Sequence, residues 1–292
     1  MSDINIETIL EKVDQIPTIS TLSLKINDIV SDPNSSAHDL ADVIQIDIAI
    51  SSKIMKVVNS AYYGFEKSIE SLQHAVAILG FELVKNLTLS VACINTFKEH
   101  TKFGFDRNLF WLHSLGVAIA SQMFAKDNFR FTPQDFQNFF TAGLMHDLGK
   151  VILECYFPEP FSQVLKLAQK KKFSYLEAEQ KVMGDYNHQL IGKIVADKWK
   201  FPEFLVQTMF HHHNPQDAPE QYRNFVSVIH LANLAVEIAG IGSMGMDVPN
   251  PVGQDVLDHM SVTKEEIQKV TIQLLEKKSE IESMIGMLTA TS

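Results

Sequence analysis

Two adjacent residues, His146 and Asp147 in the octet GLMHDLGK (143–150), carry the strongest chemical signal in the sequence. An imidazole and a carboxylate in an otherwise apolar run are costly to desolvate, and on a continuous helix neighbouring side chains diverge by about 100°. Both become favourable when a cation stands beyond them, because imidazole nitrogen and carboxylate oxygen are mixed ligands for Zn, Mn, Fe or Mg. Three other segments add histidines: His113 within WLHSLGVAIA, His188 opening YNHQLIGKIVADKW, and the triple His211-His212-His213, of which at most two can face one centre. Helical bundles build metal sites in this way, each helix offering a ligand to the interior. The candidate ligands of a divalent metal are therefore His113, His146, Asp147, His188, His212 and His213. Lys150, one turn after His146, could neutralise a phosphate or pair with an acid. In a hydrolytic site His146, Asp147 and Lys150 would be the catalytic set, with the metal activating water for attack on phosphorus and the lysine offsetting developing charge. Read more plainly, each histidine is held by hydrogen bonds in an ordinary helical core, or is solvated at a helix end in the case of His211–His213. His38, His74, His100 and His259 have no such surroundings and read as surface or capping residues.

Positioning these residues requires helices, and apolar residues recur at helical spacing almost throughout the chain. No long alternating segment with hairpin turns appears, so the fold class is all-α. A first run (Leu22, Ile26, Ile29) stops at Asp32-Pro33, since a residue before proline is pushed out of the α region. Ser36 with Asp39 forms a capping pair for a helix burying Leu40, Val43 and Ile44. Stripes at Ile50, Ile54, Val57 and Val58, then SLQHAVAILG and FELVKNLTLSVACINTF, complete about five short helices in an N-terminal bundle, residues 1–104. After the polar KEHTKFGF, residues 105–292 hold longer helices at 107–126, through FQNFFTAGLMHDLGKVILECYF, and at 159–171, 174–184, 187–200, 203–213 and 224–240. A last helix opens on Thr263 and Glu266 and runs to Leu288 with a stripe of Ile267, Val270, Leu274, Ile281, Met284 and Leu288. Burying that stripe at ~25 cal/mol per Å² could hold a homodimer, although packing on its own domain is the simpler expectation.

Composition narrows the function. The chain has 292 residues, 35 acids against 25 bases, a net charge of -10 and 46% hydrophobic residues, so it folds on its own core and offers no basic face to nucleic acid. Only Arg107, Arg130 and Arg223 carry guanidinium groups, and no Gly-rich phosphate loop is present, which argues against a nucleotide cradle or other organic cofactor. Two cysteines, Cys93 and Cys155, cannot form a disulfide framework, no run reaches the ~18–20 apolar residues of a membrane span, and the N-terminus is acidic; a cytoplasmic protein is expected.

The ordered series His113, His146-Asp147, His188 and HHHNP (211–215) resembles the HD superfamily of metal-dependent phosphohydrolases. The segments IQIDIAISSKIMKVVNSAYYG and SIESLQHAVAILG, with the Asp32-Pro33 pair before them, resemble more narrowly the HDOD domain, the HD-related output domain of bacterial signalling proteins, over roughly residues 12–215. The resemblance implies an N-terminal bundle packed on an HD-like helical domain. It also implies a further metal-binding Asp downstream, and Asn233 in SVIHLANLAVEIAG stands in that place as a weaker, neutral ligand. His230 and Glu237, on the same helix face, are candidates to replace the missing ligand. The Gly-Tyr-Pro element of the cyclic-di-GMP phosphodiesterases is absent after the paired histidines, where the chain reads HHHNPQDAPEQYRN. HDOD proteins are generally regarded as having degenerate catalytic sites and as acting through protein contacts. The expectation is a signalling protein that binds protein partners; the alternative is an active metal-dependent phosphohydrolase, which the surviving ligands keep open.

Overall fold

The structure, a computed structural model, describes residues 6–16, 29, 35–97, 105–126, 131–171, 173–243, 248–250 and 252–289. The expected apolar run at Leu22 and Ile26, its Asp32-Pro33 stop and His100 lie outside these residues. Among the described residues all regular structure is helical, as the spacing of apolar residues predicts. No helix among them is long and apolar enough to cross a membrane.

The chain divides into two compact units, one formed by Met1–Ile16 with His100–Lys277 and the other by Pro17–Glu99 with Lys278–Ser292. This differs from the expected cut into 1–104 and 105–292: each terminal segment belongs with the half that is remote in sequence. The unit that includes Pro17–Glu99 contains α2 (Ala37–Gln45), α3 (Ile48–Val58), α4 (Leu72–Leu79), α5 (Phe81–Thr96) and the final α16 (Lys278–Thr289). Ser36 and Asp39 cap α2 reciprocally, each side chain taking a backbone N–H of the other. Helix α5 is buried almost along its length, and α16 packs on α3 and α5.

The larger unit contains α1 (Ile6–Gln15), α6 (Arg107–Ala125), α7 (Pro133–Met145), α8 (Leu148–Tyr156), α9 (Pro158–Lys171), α10 (Tyr175–Met183), α11 (His188–Lys198), α12 (Glu203–His211), α13 (Glu220–Ala239), α14 (Gln254–Met260) and α15 (Lys264–Glu276). Helix α1 is tied in by Lys198, which donates to the Val13 carbonyl at 2.6 Å, and by Lys12, which donates to that of Tyr156 at 2.6 Å. Helices α6, α7 and α13 pack on one another, and α11 packs on both α8 and α12. Two glycines permit close approaches beside the candidate site. A Cβ at Gly143 would stand 2.5 Å from the Ala118 Cα, and one at Gly149 would overlap the His188 carbonyl oxygen.

Two expected helices are each broken in two. The predicted helix through MHDLGK ends as α7 at Met145 and restarts as α8 at Leu148, leaving His146 and Asp147 in a turn with Asp147 at φ -100°, ψ 11°. The predicted C-terminal helix breaks at Lys277, with α15 capped by the expected Thr263–Glu266 box. Its stripe is buried within the chain on both pieces, with Ile267, Val270 and Leu274 on α15 and Ile281, Met284 and Leu288 on α16.

Candidate metal centre

The turn between α7 and α8 explains how adjacent residues serve one centre. On an unbroken helix the two side chains would diverge; here the backbone at Asp147 leaves the helix, and its carboxylate Oδ2 lies 3.2 Å from His146 Nε2. Around Asp147 converge His188 from the first position of α11 and His212 from the end of α12, with Nε2 atoms 3.3 and 3.4 Å from its Oδ1. His113, on α6, is more distant at 4.0 Å from Oδ2. The donor atoms form two overlapping clusters that share Asp147, one with His188, His212 and His213 and the other with His113 and His146, each within 4.8 Å. His211 is turned away and half-buried, so two of the three consecutive histidines face the centre.

Backbone and carboxylate partners on the far side of the rings fix which nitrogen faces inward. His146 Nδ1 lies 2.7 Å from the Gly143 carbonyl, and His212 Nδ1 lies 3.1 Å from that of Thr208. Glu179, wholly buried on α10, accepts the His188 backbone N–H at 2.9 Å and holds the ring Nδ1 at 2.6 Å. A carbonyl or carboxylate can only accept, so each Nδ1 carries a proton and each Nε2 is the nitrogen turned inward. Three Nε2 atoms thus face one another and a carboxylate; those of His188 and His212 are only 3.3 Å apart. His146 Nε2, Asp147 Oδ1 and both His213 ring nitrogens are buried without a hydrogen bond. Buried acceptors crowded in this way repel one another unless a cation lies among them, and this donor set of imidazoles and a carboxylate fits a divalent metal.

The field is consistent with that fit. Burial works to raise the Asp147 carboxyl, but His146 and Lys150 overcome it and hold it well below the usual carboxylate range. Burial pulls His113 and His212 down to about 3, so both are neutral and able to ligate. Burial opposes charge on His188 as well, yet Glu179 and Asp147 prevail and raise it, so this pocket between two carboxylates favours positive charge. Lys150 donates to Asp147 Oδ2 at 2.5 Å and lies 4.5 Å from the centre of the Tyr175 ring. A cavity of about 260 Å³ reaches Asp147 past His113, Lys150, Tyr175, Glu237 and Asn250.

Residues 16–215 match the HDOD domain. The chain belongs to the HDOD family. An uncharacterized protein of Treponema pallidum (strain Nichols) is 24% identical over 284 residues, covering 94% of this HDOD chain and 52% of its own length, so the chain spans about half of that relative. The crystal structure of an HDOD domain protein of unknown function from Geobacter sulfurreducens superposes with a TM-score of 0.77 at 24% identity, over 97% of this chain and 99% of that one. A candidate phosphohydrolase from Shewanella amazonensis SB2B gives a TM-score of 0.73 at 21% identity, over 96% and 98%.

Within this HDOD chain the fate of the remaining expected residues is distinct for each. Asn233 is 4% exposed on α13, and its Nδ2 donates to Glu237 Oε1 at 3.2 Å. His230 is turned to the backbone, its Nδ1 2.8 Å from the His212 carbonyl, and Glu237 is held by Asn250; neither belongs to the two donor clusters. Sequence reasoning missed Glu179. Its one signal is an acid within the apolar stripe of α10, beside buried Tyr175, Ala178 and Met183.

Proposed function

We propose that this chain is a signalling HDOD module of the cytoplasm that holds a divalent metal in its HD centre and acts through metal-dependent contacts with a protein partner. The observation that carries the metal is the convergence of the His146, His188 and His212 Nε2 atoms on the Asp147 carboxylate. When bound, the metal would be held by His146, Asp147, His188, His212 and His213, with His113 and Asn233 at its edge, and it would supply a Lewis acid able to polarise an oxygen ligand. Glu179 positions His188, the Gly143 carbonyl positions His146, and Lys150 holds Asp147.

The regulatory reading over turnover is supported by what lines the cavity. A phosphoester entering it would meet Glu237, whose carboxylate accepts from Asn250 at 2.8 Å on both oxygens, and a single lysine already engaged with Asp147. Asn233 in place of an acid also removes a negative charge from the metal's surroundings.

A second reading, a metal-dependent phosphohydrolase acting on a small phosphoester, is favoured by the cavity that opens to Asp147 and Lys150, and by the name of the Shewanella neighbour. In that case His146 and Asp147 hold the metal and Lys150 offsets charge on the phosphoryl oxygens. Elemental analysis of the untagged protein, with a phosphatase and phosphodiesterase screen in Mn, Fe and Mg, separates the readings. Stoichiometric metal without turnover is the expected result. Turnover abolished by His146→Ala would establish the hydrolase, and metal content unchanged by His146→Ala would remove both readings.

A further inference from the structure

Asn233 is followed one helical turn later by Glu237; Glu237 lines the cavity with His113, and the Asn233 side chain lies against the His113 ring. The amide of an asparagine can be placed either way round, but a carboxylate only accepts, so the 3.2 Å contact with Glu237 Oε1 assigns the Asn233 NH₂ group to the Glu237 side. Its carbonyl Oδ1 is therefore turned the other way. That oxygen is buried and faces the His113 ring, a member of the second donor cluster. Glu237 is itself fixed: Asn250 donates its backbone N–H to Oε2 at 2.8 Å and its side-chain Nδ2 to Oε1 at 2.8 Å. Three donors thus converge on one carboxylate, and the consequence is a defined direction for a neutral oxygen at the edge of the metal centre.

Resting on the metal reading above, we infer that Glu237 is a positioning residue that, clamped by Asn250, aims the Asn233 carbonyl oxygen into the centre as a ligand. The negative charge that an aspartate at 233 would have carried stands one residue further out, on Glu237. An aspartate at 233 would instead place a carboxylate oxygen 3.2 Å from the Glu237 oxygen, and the two acids would repel. Asparagine at 233 and glutamate at 237 are therefore a matched pair, and changing either alone breaks the match.

The test is a double-mutant cycle read by calorimetric titration of Mn²⁺ alone into the untagged full chain. Glu237→Gln, whose NH₂ group in place of Oε1 faces both side-chain amides and lets the Asn233 amide turn over, is expected to weaken Mn²⁺ binding about tenfold, the usual scale for an outer-shell partner. Asn233→Asp alone is expected to bind no more tightly than the natural chain. The Asn233→Asp/Glu237→Gln double variant, in which the glutamine NH₂ can donate to the new carboxylate, is expected to bind about tenfold more tightly than Asn233→Asp alone. Additive effects of the two substitutions, or an unchanged affinity in Glu237→Gln, would overturn the inference. If Glu237→Gln fails to fold by far-UV circular dichroism, Asn250→Ala replaces it; it removes one donor and should weaken binding in the same direction, and an unchanged affinity there overturns the inference equally. Absence of Mn²⁺ binding by the natural chain would overturn this inference and the metal reading together. Binding that is lost in His146→Ala but shows no coupling between positions 233 and 237 would overturn this inference alone.

Discussion

Both units of the chain bury polar groups in helices, and they treat them in opposite ways. In the unit that includes Pro17–Glu99, Lys53 is 2% exposed, and its ammonium donates to Asn95 Oδ1 at 2.9 Å and to the Leu288 carbonyl at 2.5 Å. The buried Thr88 and Ser90 hydroxyls of α5 each donate to a carbonyl one turn back. Each of these donors meets an acceptor, which is how a core tolerates polarity. In the larger unit, the rings around Asp147 crowd nitrogen against nitrogen, and four of the buried atoms have no hydrogen bond. Polarity of the first kind serves the fold. Polarity of the second kind leaves room for a ligand and costs stability until that ligand binds.

The comparison would break most visibly at His146. His146→Ala is expected to reduce bound metal, measured by elemental analysis, from stoichiometric to background, and to remove the stabilisation that added metal gives the natural chain in a thermal melt. If chelator lowers the melting temperature of the natural protein and of His146→Ala equally, the two units do not differ in kind.

Lys53→Met is the matching change in the other unit. It keeps the aliphatic stem but leaves the Leu288 carbonyl, at the end of α16, and Asn95 Oδ1 without their donor. Leaving buried acceptors unpaired should cost about 2 kcal/mol in a urea melt, with metal content unchanged. A loss of metal in Lys53→Met without a loss of stability would reverse the assignment of roles.

Glu179→Gln sharpens the contrast, because Glu179 is fully paired yet belongs to the centre. The glutamine keeps the volume but no longer pulls the His188 proton to Nδ1, so metal affinity should fall about tenfold in a competition titration while the apo melting temperature barely moves. A large drop in apo stability with unchanged affinity would make Glu179 a core residue and nothing more.

The sequence shows the histidines because each is a polar residue inside an apolar run, and it shows the helix starts at Ser36 and Thr263 because their capping partners lie three residues on. It does not show the breaks at His146-Asp147 or Lys277, where neither glycine nor proline interrupts the apolar spacing. Nor does it show why Gly149 is a glycine, since the carbonyl it must clear belongs to His188 on another helix. Glu179 and the Asn250–Glu237–Asn233 relay are invisible for the same reason: their meaning lies in partners that only folding brings close.

The smallest expected effect tests whether satisfied polarity outside a core behaves as the comparison requires. Asn59, just beyond α3, closes the segment that follows it: its Nδ2 donates to the Met55 and Ile69 carbonyls at 2.9 and 3.0 Å, and its Oδ1 accepts from Ile69 N–H at 2.7 Å and Ser68 Oγ at 3.1 Å. All four bonds resemble those of Lys53 in pairing donor with acceptor, but Asn59 is exposed and water can take over its partners. Asn59→Ala should therefore cost about 1 kcal/mol in the same urea melt, less than Lys53→Met and with metal affinity unchanged. A cost equal to that of Lys53→Met would mean that geometry rather than burial sets the value of these bonds, and the contrast between the two units would then rest on the metal centre alone.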